Sequence, residues 1–219
     1  MAVDVSVVIC SYNNEAYLGR AIRSCLNQSL PKERYEVIVV DDASSDNSWE
    51  VIDSFSDLVV PIKLDHNEGV AEASNIGIKA AKGRFIIRVD SDDYIKEHCL
   101  LFLSEILLAN PDIGFTYADH LKVDKNENVM ERVVINTIDL LFRHGAGIMF
   151  RKSYMEALGL YDKNLRNAED FDLLKRYLKN YDGYHLRLAL YNYRQHDSNM
   201  TKDEEERKKW EQISDENRQ

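Results

Sequence analysis

Between Val3 and Val89 the chain repeats one rhythm: a short β-branched run ends in polar residues, and a stretch with helical periodicity follows. Parallel strands need a crossover between them, so this alternation predicts an α/β fold with a parallel sheet. Residues 5–9, 37–40 and 85–89 are the clearest runs, and Val37, Ile38, Val39 and Val40 read as a strand covered on both faces. Leu18, Ala21, Ile22, Cys25 and Leu26 recur at spacings of three and four, giving a helix one apolar stripe, with Asn13 or Asn14 as its cap. A second helix is expected from Asp46, its N-cap. Residues 59–64 form a weaker strand, and Pro61 places it near an edge. The third helix, 70–81, follows Gly69 and stops at Gly83, read as a left-handed terminator.

Beyond residue 90 the pattern loosens. A helix over 96–110 ends before Pro111, and 115–123 with 129–135 flank a polar turn as a hairpin. A short strand at 147–150, a small helix ending at Gly159, a helix over 168–180 and a last strand at 186–193 follow. One domain is expected over residues 1–200. Residues 201–219 are dense in charge and read as a helical or disordered tail; their end supplies no structural stop, as in a fragment of something longer.

The formal charge of -10 opposes binding to nucleic acid or anionic lipid. Three cysteines without a CxxC pair fit a reducing cytoplasm, with the inner face of a membrane as the alternative. The first apolar run lacks a basic leader and falls short of the roughly 20 residues a bilayer span needs.

In an open α/β sheet the loops after the strands' carboxyl ends line the ligand crevice, so Ser11-Tyr12, Asp41-Asp42 and Asp90-Ser91-Asp92-Asp93 should meet. Asp90 and Asp92 can attract a hard cation that bridges a diphosphate, although a turn or helix cap uses aspartate equally well. Asp41 and Asp42, adjacent at the end of a buried strand, repel unless a donor-rich ligand or a cation meets them. Residues 44–48 alone read equally as a plain connection. Asn67-Glu68-Gly69, with Asn75 and Gly77, resembles a loop and helix start that a phosphate can approach closely. The sequence has neither GxxxxGK[ST] nor GxGxxG, which argues against nucleotide hydrolysis and hydride transfer. Glu169 and Asp170 open a helix, where acids suit the dipole without any catalytic duty. His144 and His196, taken singly, read as surface or core histidines.

The ordered set Val7-Val8-Ile9-Cys10-Ser11-Tyr12-Asn13, Asp41-Asp42-Ala43-Ser44-Ser45-Asp46, Asn67-Glu68-Gly69-Val70-Ala71, Asn75-x-Gly77 and Asp90-Ser91-Asp92-Asp93 resembles inverting glycosyltransferase family two. The resemblance implies a GT-A fold, with a Rossmann-like, mostly parallel central sheet flanked by helices and a smaller mixed region on the acceptor side. Residues 1–110 would bind a nucleoside-diphosphate-sugar, UDP being the expected carrier, and 111–200 the acceptor. Tyr12 and Asp42 would hold the base, with Ser11, Glu15, Asp41 and Ser91 supporting the nucleotide, Asp90 meeting the ribose, and Gly69 and Asn75 shaping the pocket. Asp92 and His196 would hold Mn2+ or Mg2+. Glu169 and Asp170 become the acceptor-side pair, Asp170 the general base. A saccharide, lipid-linked or protein-linked hydroxyl would accept the sugar in surface glycan synthesis.

Ser74 departs from the family, which often carries arginine there for a phosphate contact. The QxxRW signature of processive synthases is missing, which favours transfer of a single sugar. Peripheral membrane contact and a homodimer are both compatible with the sequence. Two other readings compete: an aspartyl phosphatase with Asp90 as nucleophile, disfavoured because its motif belongs on a first strand, and a non-catalytic nucleotide- or glycan-binding module.

Overall fold

A computed structural model describes residues 3–135, 147–165 and 168–196. Its elements run β1 (Val5–Ser11), α1 (Glu15–Leu26), β2 (Tyr35–Asp41), α2 (Ser48–Asp53), β3 (Val60–Lys63), α3 (Val70–Ala80), β4 (Phe85–Asp90), β5 (Tyr94–Ile95), α4 (Cys99–Ala109), β6 (Ile113–Val123), β7 (Val129–Val133), β8 (Met149–Arg151), α5 (Lys152–Ala157), α6 (Glu169–Leu178) and β9 (Asp182–Arg194). These strands form one sheet in the order β3-β2-β1-β4-β8-β6-β9-β5, with β7 also on β6. β3, β2, β1 and β4 are parallel, as are β6 and β9, while β8 runs antiparallel between β4 and β6. The expected mostly parallel sheet is present, with β5 and β7 as further antiparallel strands.

Alternation along each strand separates two cores. Val7, Ile9, Val37, Val39, Ile87 and Val89 pack with Leu18 and Ile22 of α1 and Leu100, Leu103 and Leu107 of α4. Val8, Ile38, Val40 and Ile86 face the other way, toward Ala73 and Ile78 of α3 and Leu173, Leu174 and Tyr177 of α6. Coverage on both faces explains the continuous apolar runs, each buried aliphatic side chain being worth about 1.5–3 kcal/mol.

Several local expectations need correction. Asn14 stands at the start of α1, but its side chain makes no capping bond there. The next loop supplies the acceptors instead: Asp46 Oδ2 takes the Glu15 N–H at 3.0 Å, and Ser48 Oγ takes that of Asn14 at 3.0 Å. Asp46 Oδ1 also accepts the Ser48 N–H at 2.9 Å, so one carboxylate serves two helix starts and α2 begins only at Ser48. Gly83 is no left-handed terminator, because α3 ends as Ala81 turns extended (φ -64, ψ 137). Glycine is required at 83 because a Cβ would lie 2.6 Å from the Ser6 backbone nitrogen. The helix expected from 96 begins at Cys99, since Tyr94 and Ile95 pair with β9 and the Lys96 N–H bonds the Leu190 carbonyl at 2.8 Å. β9 starts four residues before its expected beginning, because it pairs with β6 along nearly the whole of that strand.

The hairpin turn, the edge position of β3 and the end of α5 near Gly159 (φ +89) match the sequence reading. His144 and the tail 201–219 lie outside the described residues. Among the described residues no helix is long and apolar enough to cross a membrane.

Candidate active site

Sheet register builds the cleft: Ser11 lies opposite Asp41 and Cys10 opposite Asp90, so three strand ends meet at one level. The first two loops are cross-linked. Asn13 (φ +50) accepts the Ser45 N–H at 2.7 Å, and Glu15 Oε2 accepts from both the backbone and side-chain nitrogens of Asn47 at 2.7 and 2.6 Å. Glu15 is therefore a brace for the loop, with a nucleotide contact only in addition to that.

Asp42 is 3% exposed, and its two oxygens accept the Glu68 and Gly69 N–H groups at 2.7 and 2.9 Å. The donors that adjacent buried acids demanded come from the chain's own loop, to which Gly69 (φ +85) gives its sharp bend. Burial raises the Asp42 pKa, and those two N–H groups oppose it. Asp41 is fully buried, and its Oδ1, like the Ser11 hydroxyl, has no hydrogen-bond partner among the described residues. Such atoms are costly unless a ligand donates to them or accepts from them. Tyr12 is 51% exposed at the rim.

Asn75 does not face the cleft as a bare polar group. Its amide donates to the Tyr161 carbonyl at 2.9 Å and accepts the Tyr161 N–H at 3.1 Å, clamping α3 to the segment before α6. Ser74 is fully buried with its hydroxyl 3.4 Å from the Cys10 thiol, so it points into the sheet.

The aspartate turn divides its labour. Asp93 is fully buried and accepts the Tyr191 hydroxyl at 2.8 Å and the Arg194 N–H at 2.7 Å, anchoring β9. Burial and its acidic neighbours hold its pKa well above the usual carboxylate range. Ser91 Oγ accepts from the Asn14 amide at 2.8 Å. Asp92 turns to β9's end, with Oδ2 at 2.9 Å from His196 Nε2. Tyr17 stacks on His196 at 4.9 Å, and Arg194 Nε bonds the Asp92 carbonyl at 2.9 Å, so β9 returns over the turn and fixes both residues. One carboxylate oxygen beside one imidazole nitrogen suits Mn2+ or Mg2+ whose other positions are filled by phosphate oxygens and water. Among the described residues no group of three or more ligating side chains stands ready to hold an ion alone.

On β4, two residues before Asp90, stands Arg88, its side chain 7% exposed. Its guanidinium meets Asp170 at 2.6 Å, Glu169 at 3.3 Å and Asp90 at 3.3 Å. Loss of water pushes Glu169 up to about 7, with Asp170 adding to the shift and Arg88 opposing it. Asp90 is raised to about 6, again chiefly by loss of water, with Arg88 opposing.

The family model for "Glycosyl transferase family 2" matches residues 6–159, more than half of the chain. The chain belongs to that family.

Among family-2 relatives, the poly(ribitol-phosphate) beta-glucosyltransferase of Bacillus spizizenii is 40% identical over 101 residues, 44% of this chain and 16% of that protein. An uncharacterized glycosyltransferase of Haemophilus influenzae is 30% identical over 186 residues, 80% of this chain and 62% of that one. The crystal structure of Staphylococcus aureus TarS 1–349 in complex with UDP-GlcNAc superposes with a TM-score of 0.79 at 22% identity, covering 92% of this chain and 61% of that chain. The fold is thus the GT-A fold, and the chain spans less than two thirds of these proteins.

The arrangement falls into three groups: Ser11, Asp41 and Asp42 at the ends of β1 and β2, Asp92 with His196 after β4, and Glu169 with Asp170 at the start of α6, where Arg88 meets both. Sequence reading counted Arg88 within an apolar run and gave no part to Tyr161, Tyr191 or Arg194. One signal was available: a lone cation in a buried strand persists only where it is paired.

Proposed function

We propose that the chain transfers a single sugar from a UDP-linked donor to a hydroxyl acceptor with inversion. The observation that carries this reading is that Arg88 joins Asp90, two residues before the Asp92–His196 pair, to Glu169 and Asp170 at the start of α6. A TarS structure with UDP-GlcNAc and a relative that acts on poly(ribitol-phosphate) support a UDP carrier and an acceptor hydroxyl of a surface glycan.

Residues 1–110 form the donor half and 111–200 the acceptor half. Ser11 Oγ and Asp41 Oδ1 meet the nucleotide, Tyr12 covers the base from the rim, and Asp42 presents the Glu68–Gly69 loop. Asp92 and His196 would hold Mn2+ or Mg2+, which would neutralise charge on the leaving diphosphate. Asp170, held at α6 by Arg88, accepts the proton of the attacking hydroxyl, and a single displacement inverts the anomeric centre. Burial holds the Glu169 carboxyl beside it up near 7, with Asp170 adding to the shift, so Glu169 carries its full negative charge only above neutrality.

Calorimetry with UDP, GDP and dTDP, each with and without Mn2+, tests the donor side. UDP binding strengthened by Mn2+ is expected; equal indifference to all three nucleotides would overturn the reading.

A further inference from the structure

We infer that Arg88 is a positioning residue for the transfer step: its guanidinium holds Asp170 and Glu169 in register with the donor-side carboxylate of Asp90. The inference rests on the function proposed above and deepens it, giving Arg88, which the sequence motifs left without a part, a task in the transfer step.

Strand alternation places Arg88 and Asp90 on the same face of β4, the face on which α6 packs. From there the guanidinium reaches two elements at once. Nη2 lies 2.6 Å from Asp170 Oδ2, Nη1 lies 3.3 Å from Glu169 Oε1, and Nε lies 3.3 Å from Asp90 Oδ1. Its far side is closed by the Tyr161 ring, 5.4 Å from Cζ. The Arg88 carbonyl accepts the Gly147 N–H at 2.9 Å, so the backbone under the side chain is also held.

A stabilising role alone accounts poorly for this network. Buried ion pairs contribute little net stability compared with apolar residues, and β4 is otherwise a strand of Phe85, Ile86, Ile87 and Val89 in which an aliphatic side chain would pack well. The charges do not balance either, since one cation faces three carboxyl groups. Glu169 Oε2 is buried and has no hydrogen-bond partner among the described residues, so the network is incomplete there. An arrangement of this kind suits a site whose remaining partners arrive with substrate. Holding Asp170 is also a task for arginine in particular. A planar fork can address three oxygens in different directions, whereas a lysine ammonium on a flexible stem is a single point charge.

The test follows release of UDP from UDP-GlcNAc with Mn2+, water serving as acceptor, for the wild type, Arg88→Lys and Arg88→Ala, after urea unfolding has shown which variants fold. For Arg88→Lys, misplacement of the base predicts a kcat lower by roughly 100-fold, with KM for UDP-GlcNAc within about twofold of wild type. Arg88→Ala is expected lower still, with part of the loss restored by added guanidinium ion at concentrations that leave the fold intact. If Arg88→Ala fails to fold, Arg88→Lys decides alone. An unchanged kcat in Arg88→Lys, or a rise in KM at constant kcat, overturns the inference, the second outcome marking Arg88 as a donor contact. Absence of both UDP binding and UDP release in the wild type would instead overturn the proposed function, and this inference with it.

Discussion

Replacing Asn75 by alanine separates two roles that the sequence could not tell apart. A nucleotide contact would cost affinity; a clamp between α3 and the Tyr161 segment would cost stability. The structure favours the clamp: two hydrogen bonds of 2.9 and 3.1 Å join the amide to the Tyr161 main chain, with Asn75 and Tyr161 only 5% and 3% exposed. Alanine deletes both bonds and leaves a buried N–H and a buried C=O unpaired, each worth about 1–3 kcal/mol, for a total of roughly 2–6 kcal/mol. For a domain of this size each kcal/mol shifts Tm by about 2–4 °C, so a drop of roughly 4–24 °C is expected. Asn75→Asp should do no better, because it sets a carboxylate against the Tyr161 carbonyl, near Glu72 at 3.4 Å. Circular dichroism melts paired with UDP titration below the transition provide the assay. A Tm change under about 2 °C together with a tenfold or greater loss of UDP affinity would refute the clamp and return Asn75 to the nucleotide pocket.

Other perturbations probe separate parts of the cleft. Glu169 has its pKa raised from 4.5 to about 7, so the folded state binds more protons than the unfolded state between those values. Its contribution to stability is therefore full below about 4.5 and is lost as pH rises through about 7. The urea midpoint of the wild type should fall between about pH 5 and pH 8, and Glu169→Gln should flatten that slope; an equally steep slope in the variant contradicts the assignment. Asp92→Asn should remove most of the Mn2+ enhancement of UDP binding, by about 10-fold or more, while leaving metal-free UDP binding near wild type. Full enhancement in that variant would place the cation elsewhere. Gly77→Ala would set a Cβ 2.5 Å from Val8 Cγ1, and overpacking α3 against β1 in this way should cost about 1–3 kcal/mol in urea unfolding.

The parallel half of the fold was legible because its strands are buried on both faces: Val37 to Val40 and Phe85 to Val89 can hardly be anything else in an α/β chain. The strand-end acids were legible for the same reason, each standing where an apolar run stops. β9 was under-read because Gly183, Tyr184 and Arg187 do not alternate as a half-buried strand should, and its partner β6 lies some seventy residues earlier. β5 is only two residues long and exists through its pairing with β9. What individual acids do was the least legible part. Asp42, Asn75 and Asp93 have residue types suited to ligand contacts, yet their visible partners are the backbones of Glu68, Gly69, Tyr161 and Arg194, all distant in sequence. Arg88 escaped notice because its three carboxylate partners come from two elements separated by eighty residues.

The central claim is that this cleft moves a sugar, with Asp170 taking the proton. Its most direct test is Asp170→Asn, assayed by release of UDP from UDP-GlcNAc with Mn2+ in parallel with calorimetric titration of UDP. The substitution preserves shape but replaces a basic oxygen with an amide. The account predicts that turnover falls by about 10²–10⁴-fold while UDP affinity stays within about threefold of wild type. Turnover equal to that of the wild type would contradict it.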